Sequence, residues 1–287
     1  MNATCKILKE NCLKRLNNYP EENIHLTFID PPFRQGKDYR FFDDNLPEEE
    51  YWDWLKEVLS KVYKITVDGG ALYFMQREKN TENVLRLLRE TGWTFQNLII
   101  WKKKTSAVPS EIRYSKQYQI IAFATKSRKP CVFNKLRIDL PIPPEYKNER
   151  PNGVYITDVW DDIRELTSGY FAGDEAIRDS KGDRFHTQQS PIALLLRIIL
   201  SSSKTGDTVL DPFAGTGTTL IVAHQLKRNS IGVEIDSENV KIIENRLNNL
   251  RCADDIMKYY NYYRYTPNLK DIWPAEKTQL AEQMRLF

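Results

Sequence analysis

The sequence lacks the long hydrophobic runs of membrane proteins and the cysteine spacings of metal-stapled or disulfide-stapled ones. No window of about 18 consecutive apolar residues occurs, and the first residues do not form the apolar stretch of a signal peptide. The four cysteines are scattered and none belongs to a CxxC pair, which argues against a zinc site and a disulfide framework. We therefore expect a cytoplasmic protein that holds no metal and does not contact a membrane.

Charge is nearly balanced overall but unevenly distributed. The 287 residues carry a net charge of +3. Residues 102–150 contain twelve basic and four acidic side chains, whereas residues 151–185 contain four basic and eight acidic ones. A basic block beside an acidic one predicts that one face meets a polyanion. The alternative is an ordinary solvated surface.

Short apolar runs alternate with longer amphipathic ones along most of the chain. This alternation predicts an α/β fold with a mainly parallel sheet covered on both faces. Residues 104–185 interrupt it and contain six of the fourteen prolines, so they are interpreted as an insertion. The tyrosine-rich residues 251–287 are interpreted as an extension that wraps over the surface. We predict strands at 24–29, 70–75, 93–101, 119–124, 208–211 and 230–234, and helices at 48–67, 81–90 (with Thr81 as N-cap), 191–203, 218–226 and 238–250.

A glycine-containing turn lies between a predicted strand and a predicted helix. The turn is Asp211-Pro212-Phe213-Ala214-Gly215-Thr216-Gly217-Thr218-Thr219, and the next strand ends at Glu234, 23 residues after Asp211. Glycines let such a backbone approach a ligand closely, and a carboxylate at the second strand end can accept hydrogen bonds from both ribose hydroxyls. Leu220 replaces the third glycine of a dinucleotide fingerprint, and no Walker A lysine follows. The turn alone is also compatible with a role in packing only.

The tetrapeptide Asp30-Pro31-Pro32-Phe33 directly follows the first predicted buried strand. Ligands bind at strand carboxyl ends in open α/β sheets, and two prolines stiffen the backbone there. An exocyclic amine is a poor nucleophile because its lone pair is conjugated with the ring. Hydrogen bonds from its two N–H groups to the Asp30 side chain and the Pro31 carbonyl would favour a pyramidal nitrogen, while Phe33 stacks on a base turned out of the helix. The alternative is a rigid turn with a solvated aspartate.

These two motifs, in this order, resemble those of the β class of amino-methylating (N6-adenine/N4-cytosine) DNA methyltransferases. In that family a DPPY-type motif precedes an FxGxG motif. Other stretches also look like family motifs: Trp101-Lys102-Lys103 is similar to W-x-K, Asp158-Val159-Trp160 to DVW, and the segment from His186 to Pro191 to H-x-T-x-K-P. Three positions depart from the pattern, since Asn11 replaces an acid, Gln188 a threonine and Ser190 a lysine.

The resemblance implies a Rossmann-like sheet that binds S-adenosylmethionine, in circular order and with an inserted target-recognition region. Residues 1–103 would form the catalytic half, 104–185 the last sheet strand and the recognition insertion, 186–250 the cofactor half, and 251–287 the C-terminal extension. The implied catalytic residues are Asp30, Pro31, Pro32 and Phe33. The implied cofactor-binding residues are Asn11, Cys12, Asp30, Gln188, Asp211, Phe213, Ala214, Gly215, Thr216, Gly217, Thr218, Thr219 and Glu234.

The function that follows is transfer of a methyl group from S-adenosylmethionine to adenine N6 in double-stranded DNA, directly and in line, on a flipped base. Cytosine N4 is the main alternative. Cytosine C5 chemistry, for which Pro130-Cys131 is a chance match, methylation of RNA or of a protein glutamine, and a binding module without catalysis are further ones. Family analogy adds a cognate restriction endonuclease as a partner. A homodimer is a further candidate, although the sequence does not determine the oligomeric state. The predicted DNA-binding residues are Lys102, Lys103, Lys104, Arg113, Lys116, Arg128, Lys129 and Arg137.

Overall fold

A twisted sheet of eight strands forms the centre of the computed structural model, which describes residues 3–19, 23–36, 38–39, 41–105, 109–141, 150–166, 173–179, 181–182, 185 and 189–274. The strands of the chain are β1 (Cys5–Lys9), β2 (Ile24–Ile29), β3 (Asp38–Tyr39), β4 (Phe42–Asp43), β5 (Thr66–Arg77), β6 (Thr94–Lys102), β7 (Tyr118–Thr125), β8 (Arg137–Ile138), β9 (Val154–Tyr155), β10 (Val159–Trp160), β11 (Thr208–Asp211) and β12 (Asn229–Glu234). The helices are α1 (Cys12–Asn17), α2 (Glu48–Ile65), α3 (Thr81–Glu90), α4 (Ile192–Ser202), α5 (Thr218–Gln225), α6 (Ser237–Asn248) and α7 (Leu269–Ile272), with 3₁₀ helices at Glu78–Asn80, Cys252–Asp254 and Ile256–Tyr263.

The strand order of the main sheet is β1-β12-β11-β2-β5-β7-β6-β10. β11 and β12, from the predicted cofactor half, therefore lie between β1 and β2 of the predicted catalytic half. Five of the seven pairings are parallel, and β7 runs antiparallel to both of its neighbours. The α/β fold with a mainly parallel, circularly ordered sheet is confirmed.

The direction of β7 decides which loops share an edge with which strand ends. Arg77 at the end of β5 lies opposite Gln119, and Gln119 lies opposite Trp101 near the end of β6. β7 therefore starts where β2, β5 and β6 end, and it finishes at the opposite edge of the sheet. The loop between β6 and β7 thus leaves the sheet on the same side as Asp30, the residue after β2.

Helices cover both faces of the sheet. On one face α1, α2 and α3 bury apolar side chains such as Leu55, Leu59 and Leu87 against the strands. On the other face α4 and α5 pack beneath the C-terminal segment. Nine of the eleven residues of α4 are buried, as is expected for a helix that is apolar on all sides and enclosed by the protein.

The structure corrects several details of the predicted elements. The helix predicted over 48–67 ends at Ile65, because β5 already begins at Thr66 and is longer than expected. Asn80, not Thr81, is the residue before α3, and the Thr81 hydroxyl donates to the Glu78 carbonyl inside the preceding turn. Residues 104–185 give two strands to the main sheet, β7 and β10, where the sequence indicated one.

The C-terminal extension does more than cover the surface. Within its described part, Tyr263 and Trp273 are almost completely buried and belong to the core cluster around α4. The extension is thus built into the hydrophobic core. In the described residues no helix is both long and apolar enough to cross a membrane.

Candidate active site

A cavity of about 600 Å³ opens at the carboxyl-terminal edge of the parallel strands, within the size range of small-molecule sites. The residues that follow or end four neighbouring strands line it: Glu10 after β1, Asp30 after β2, and Asp211 and Glu234 at the ends of β11 and β12. The sheet order therefore brings the two sequence motifs together in one cavity, although they are about 180 residues apart in the chain.

The turn after β2 is fixed by contacts that come from other elements. The Ser190 hydroxyl lies 3.0 Å from Asp30 Oδ2 and donates a hydrogen bond to it. The buried Tyr51 hydroxyl donates to the Pro32 carbonyl at 2.6 Å, and Gln76 Nε2 donates in turn to Tyr51 at 2.9 Å. Phe33 is buried but contributes to the cavity wall. These contacts hold the carboxylate, the prolines and the ring in one arrangement.

The chain leaves this turn through a strained residue. Arg34 has a φ of +53°, which is uncommon for a residue with a side chain. Its N–H and that of Gln35 donate to the two carboxylate oxygens of buried Asp44 at 2.9 and 2.8 Å. These two hydrogen bonds join the beginning and the end of the loop after the motif, residues 34–44.

The Asp211 side chain stabilises the glycine turn. Its carboxylate accepts hydrogen bonds from the Phe213 N–H at 3.0 Å and from the Thr219 hydroxyl at 2.5 Å. Complete burial raises the pKa of Asp211 to about 6. Both carboxylate oxygens accept hydrogen bonds inside the turn. Asp211 therefore stabilises the backbone conformation of the turn and is less suited to bind a ligand directly.

The two glycines of the turn have different tasks. Gly215 lines the cavity with a φ of +52°. Gly217 precedes α5 with a φ of +82° and does not appear in the cavity wall. A Cβ added to Gly217 would stand 2.7 Å from the Ile243 side chain. Gly217 therefore lets α5 pack against α6, whereas Gly215 lets the backbone approach a ligand.

Glu234 provides the carboxylate predicted for a ribose. It accepts hydrogen bonds from the Gly215 N–H and the Asp236 N–H, each at 2.8 Å, and burial raises its pKa. Each carboxylate oxygen has capacity for a second donor, so the group fits two vicinal hydroxyls. A buried acceptor beside a close-approach glycine suits the nucleoside part of S-adenosylmethionine.

Two further predicted cofactor residues lie at the start of α1. Asn11 Oδ1 accepts from the Leu13 and Lys14 N–H groups at 3.0 and 3.3 Å and so caps the helix. Cys12 is buried in the cavity wall, and burial raises the pKa of its thiol to about 12, which keeps it uncharged at neutral pH. Gln188 lies outside the described residues. Phe213, Ala214, Thr216, Thr218 and Thr219 all line the cavity.

Some residues of the site carry no motif and were missed in the sequence. Arg246 Nη1 donates to the Thr216 carbonyl of the glycine turn at 2.6 Å, while its other nitrogens bind the buried Asp254 carboxylate. Trp54 and Asn239 line the cavity from α2 and α6. These contacts join distant parts of the chain, so the sequence offered only the helical periodicity of α2 and α6. That periodicity does not distinguish residues of the site from residues of the core.

The predicted DNA-binding residues do not form one surface. Lys102, Lys104, Arg113 and Lys116 belong to the end of β6 and the loop after it, on the Asp30 side of the sheet. Lys103 also lies there, half-buried, and its pKa is lowered by burial against the opposing effect of Glu165 and Asp30. Arg128 and Lys129 follow β7 and therefore lie at the opposite edge, about 20 Å away at roughly 3.3 Å per residue.

Arg137 lies apart from both groups. It begins the short strand β8, and its guanidinium stacks over the Tyr155 ring with 4.2 Å between its central carbon and the ring centroid. Its backbone N–H donates to the Thr266 hydroxyl at 2.9 Å. The structure thus supports a common surface for the residues around the β6–β7 loop, and it separates Arg128, Lys129 and Arg137 from them.

Comparison with known proteins identifies the family. A family model described as DNA methylase matches residues 24–245. The chain belongs to this family of N6/N4-type DNA methylases. The resemblance found in the two motifs is confirmed. This methylase is 31% identical to the type II methyltransferase M.HpaI of Haemophilus parainfluenzae, over 88% of the chain and 78% of the relative.

A second relative and two solved structures agree with this assignment. The DNA adenine methyltransferase YhdJ of Escherichia coli K12 is 32% identical, over 86% of the methylase and 83% of the relative. The PvuII cytosine-N4-specific DNA methyltransferase superposes with a TM-score of 0.63 at 20% identity, covering 92% of the methylase and 93% of that chain. The M1.HpyAVI–SAM complex superposes with a TM-score of 0.58 at 22% identity, covering 85% and 100%. At these identities the two structures establish the shared fold.

Proposed function

We propose that this methylase transfers a methyl group from S-adenosylmethionine to the N6 amine of adenine in double-stranded DNA. The observation that carries the proposal is the position of Asp30. Its carboxylate, held by Ser190, lies in the same cavity as the glycine turn and Glu234. A base amine at Asp30 and a nucleoside at Glu234 would therefore meet inside one cavity.

The chain's own residues would prepare the amine. Asp30 and the Pro31 carbonyl accept hydrogen bonds from the two N–H groups, so that the nitrogen lone pair is released from conjugation. When bound, S-adenosylmethionine supplies an electrophilic methyl group on its sulfonium. The methyl group would pass from the sulfur to the amine nitrogen, and Asp30 would accept the proton that the amine loses. Positioning in a site that excludes water supplies most of the acceleration.

Residues for the cofactor follow from the cavity wall. Glu234 would hold the ribose hydroxyls, and the backbone of Phe213 to Gly215 would border the methionine part. Asn11 and Cys12 would lie near the adenine end. Gln188, at the position of the family's threonine, is proposed to contribute a polar contact to the cofactor, because the family's lysine is replaced by Ser190.

Adenine is favoured over cytosine for two reasons. The first position of the motif is Asp, as it is more often in adenine-specific members of the family than in cytosine-specific ones. The relative YhdJ is named a DNA adenine methyltransferase. Both amines make the same physical demands on Asp30 and Pro31, so the product must decide between them.

The test is to incubate the protein with methyl-labelled S-adenosylmethionine and plasmid DNA, digest to nucleosides and identify the product. We expect N6-methyladenine, and sequencing of the methylated plasmid will map the site. Asp30→Ala should reduce transfer about 100-fold or more while the protein still binds the cofactor in a calorimetric titration. Asp68→Ala, which removes an exposed carboxylate at the opposite edge of the sheet, is the matched control and should retain activity. N4-methylcytosine would overturn the base assignment, and no transfer to any DNA would overturn the function.

Two partners are also proposed for this methylase. One is a cognate restriction endonuclease with the same recognition site. Plasmid that this methylase has methylated should resist cleavage by that endonuclease. The other is a second copy of the chain, and light scattering in solution would detect the dimer.

A further inference from the structure

Two apolar side chains stand almost fully exposed in the loop between β6 and β7. Ile112 is 90% exposed and Tyr114 is 99% exposed. The other exposed large apolar side chains in the described part of the chain are between 38% and 54% exposed. Single apolar residues on a surface are ordinary. Two neighbouring ones at nearly complete exposure, with Arg113 between them and Lys116 close by, form a distinct feature.

Hydrogen bonds and an ion pair hold the two ends of this loop. The Lys103 N–H donates to the Gln117 carbonyl at 2.7 Å and closes the loop. The Glu165 carboxylate accepts the N–H groups of Lys104 and Thr105 at 2.9 and 3.0 Å. On the return side, Lys116 forms an ion pair with Glu78. Residues 109–115, which precede Lys116, are all exposed.

The loop lies beside the catalytic turn at the same edge of the sheet. β2, which ends before Asp30, is separated from β6 by β5 and β7, or about 14 Å at roughly 4.8 Å per strand. This distance is close to the width of a DNA major groove, about 12 Å. A duplex whose target base reaches Asp30 would lie at the same edge of the sheet as Ile112 and Tyr114.

We propose that Ile112 and Tyr114 form a wedge that enters the base stack and fills the gap left by the flipped target nucleotide. The inference rests on the proposed function. Turning a base out of a duplex costs stacking and pairing energy, and apolar side chains inserted between base steps offset such costs in other DNA-bending proteins. The Tyr114 ring supplies a stacking face, Ile112 supplies bulk, and Arg113 between them is placed to contact a phosphate.

The experiment compares a double variant, Ile112→Ala with Tyr114→Ala, on two duplexes that carry the mapped site. One duplex is fully paired, and the other has an abasic site opposite the target adenine, so that flipping is already less costly. On the paired duplex we expect kcat/KM to fall about 10-fold or more. On the abasic duplex it should return to within about 3-fold of the wild-type value.

Arg113→Ala, in the same loop, is the matched control. Loss of a phosphate contact should lower kcat/KM on both duplexes alike, with a smaller effect at higher salt. The conservative Tyr114→Trp variant should keep activity on the paired duplex. With 2-aminopurine at the target position, the fluorescence increase that accompanies flipping should be smaller for the double variant than for wild type.

The outcomes separate this inference from the proposed function. If the wild-type protein transfers no methyl group, the proposed function fails. If it does, and the double variant either equals wild type on the paired duplex or loses activity equally on both duplexes, the wedge is overturned. Equal loss would assign Ile112 and Tyr114 to general DNA contact or to base recognition.

Discussion

At the scale of single residues, the most informative contact is the hydrogen bond from Ser190 to Asp30. The H-x-T-x-K-P motif that this segment resembles has lysine where this sequence has serine, and the serine hydroxyl reaches Asp30, the proposed catalytic carboxylate. This hydrogen bond orients one oxygen of the carboxylate that is proposed to accept the target amine. Ser190 is thus a positioning residue whose effect should appear in the chemical step.

Ser190→Ala tests this role. Loss of a hydrogen bond to a charged group costs about 1.5 kcal/mol or more, so the single-turnover rate should fall about 10-fold while the cofactor dissociation constant changes little. Ser190→Thr keeps a hydroxyl and should recover most of the rate. A weaker cofactor affinity with an unchanged rate would show instead that Ser190 serves the cofactor, as the family's lysine position suggests.

At the scale of elements, the C-terminal segment supports the glycine turn through α6. Asp254 is completely buried and pairs with both Arg246 and Arg251. Of these two arginines, Arg246 also donates to the Thr216 carbonyl. The 3₁₀ helix at Cys252–Asp254 is therefore linked to the ligand-facing backbone by a buried side chain, and the extension contributes to the site without lining it.

Arg246→Lys and Arg251→Lys form a matched pair for this link. A lysine cannot reproduce the fork that binds Asp254 and Thr216 together, so Arg246→Lys should weaken cofactor binding about 10-fold. Arg251→Lys alters the same ion pair without touching the turn and should leave cofactor affinity near the wild-type value. Calorimetric titration with S-adenosylmethionine measures both, and melting temperatures report general destabilisation. Equal weakening by the two variants would contradict a specific support of the turn.

At the scale of the whole molecule, strand direction sets where DNA can bind. Removal of Lys102 and Lys104 together should reduce the slope of log affinity against log salt by about 2, since each phosphate contact contributes about 0.9. Arg128→Ala with Lys129→Ala changes the net charge by the same amount at the opposite edge. We expect that second double variant to leave the slope unchanged. A similar reduction by both pairs would indicate binding through overall charge.

The same direction of β7 shows what sequence can and cannot predict. Asp30 and Glu234 were found because each follows or ends a recognisable apolar strand, and the resemblance supplied the sheet order. Arg128 and Lys129 were grouped with the residues near Lys102 because they share a basic stretch. Periodicity identifies a strand but not its direction, so it cannot assign the two ends of β7 to opposite edges.

Contacts between distant residues were equally invisible in the sequence. Tyr51 appeared as one apolar position in a helical pattern, yet its hydroxyl joins Gln76 to the Pro32 carbonyl. Arg246 appeared as an ordinary charge on a helix, yet it is almost completely buried. Such roles depend on which elements meet in three dimensions, and neither local spacing nor composition records that.

The interleaved sheet has a consequence for synthesis on the ribosome. β1 emerges first, but its partner β12 ends at residue 234, and β11 and β12 must be placed between β1 and β2. Until then a nascent chain carries an unpaired first strand and an open edge on β2, both of which invite association with other chains. Completion of the sheet is thus delayed until residue 234 has been synthesised.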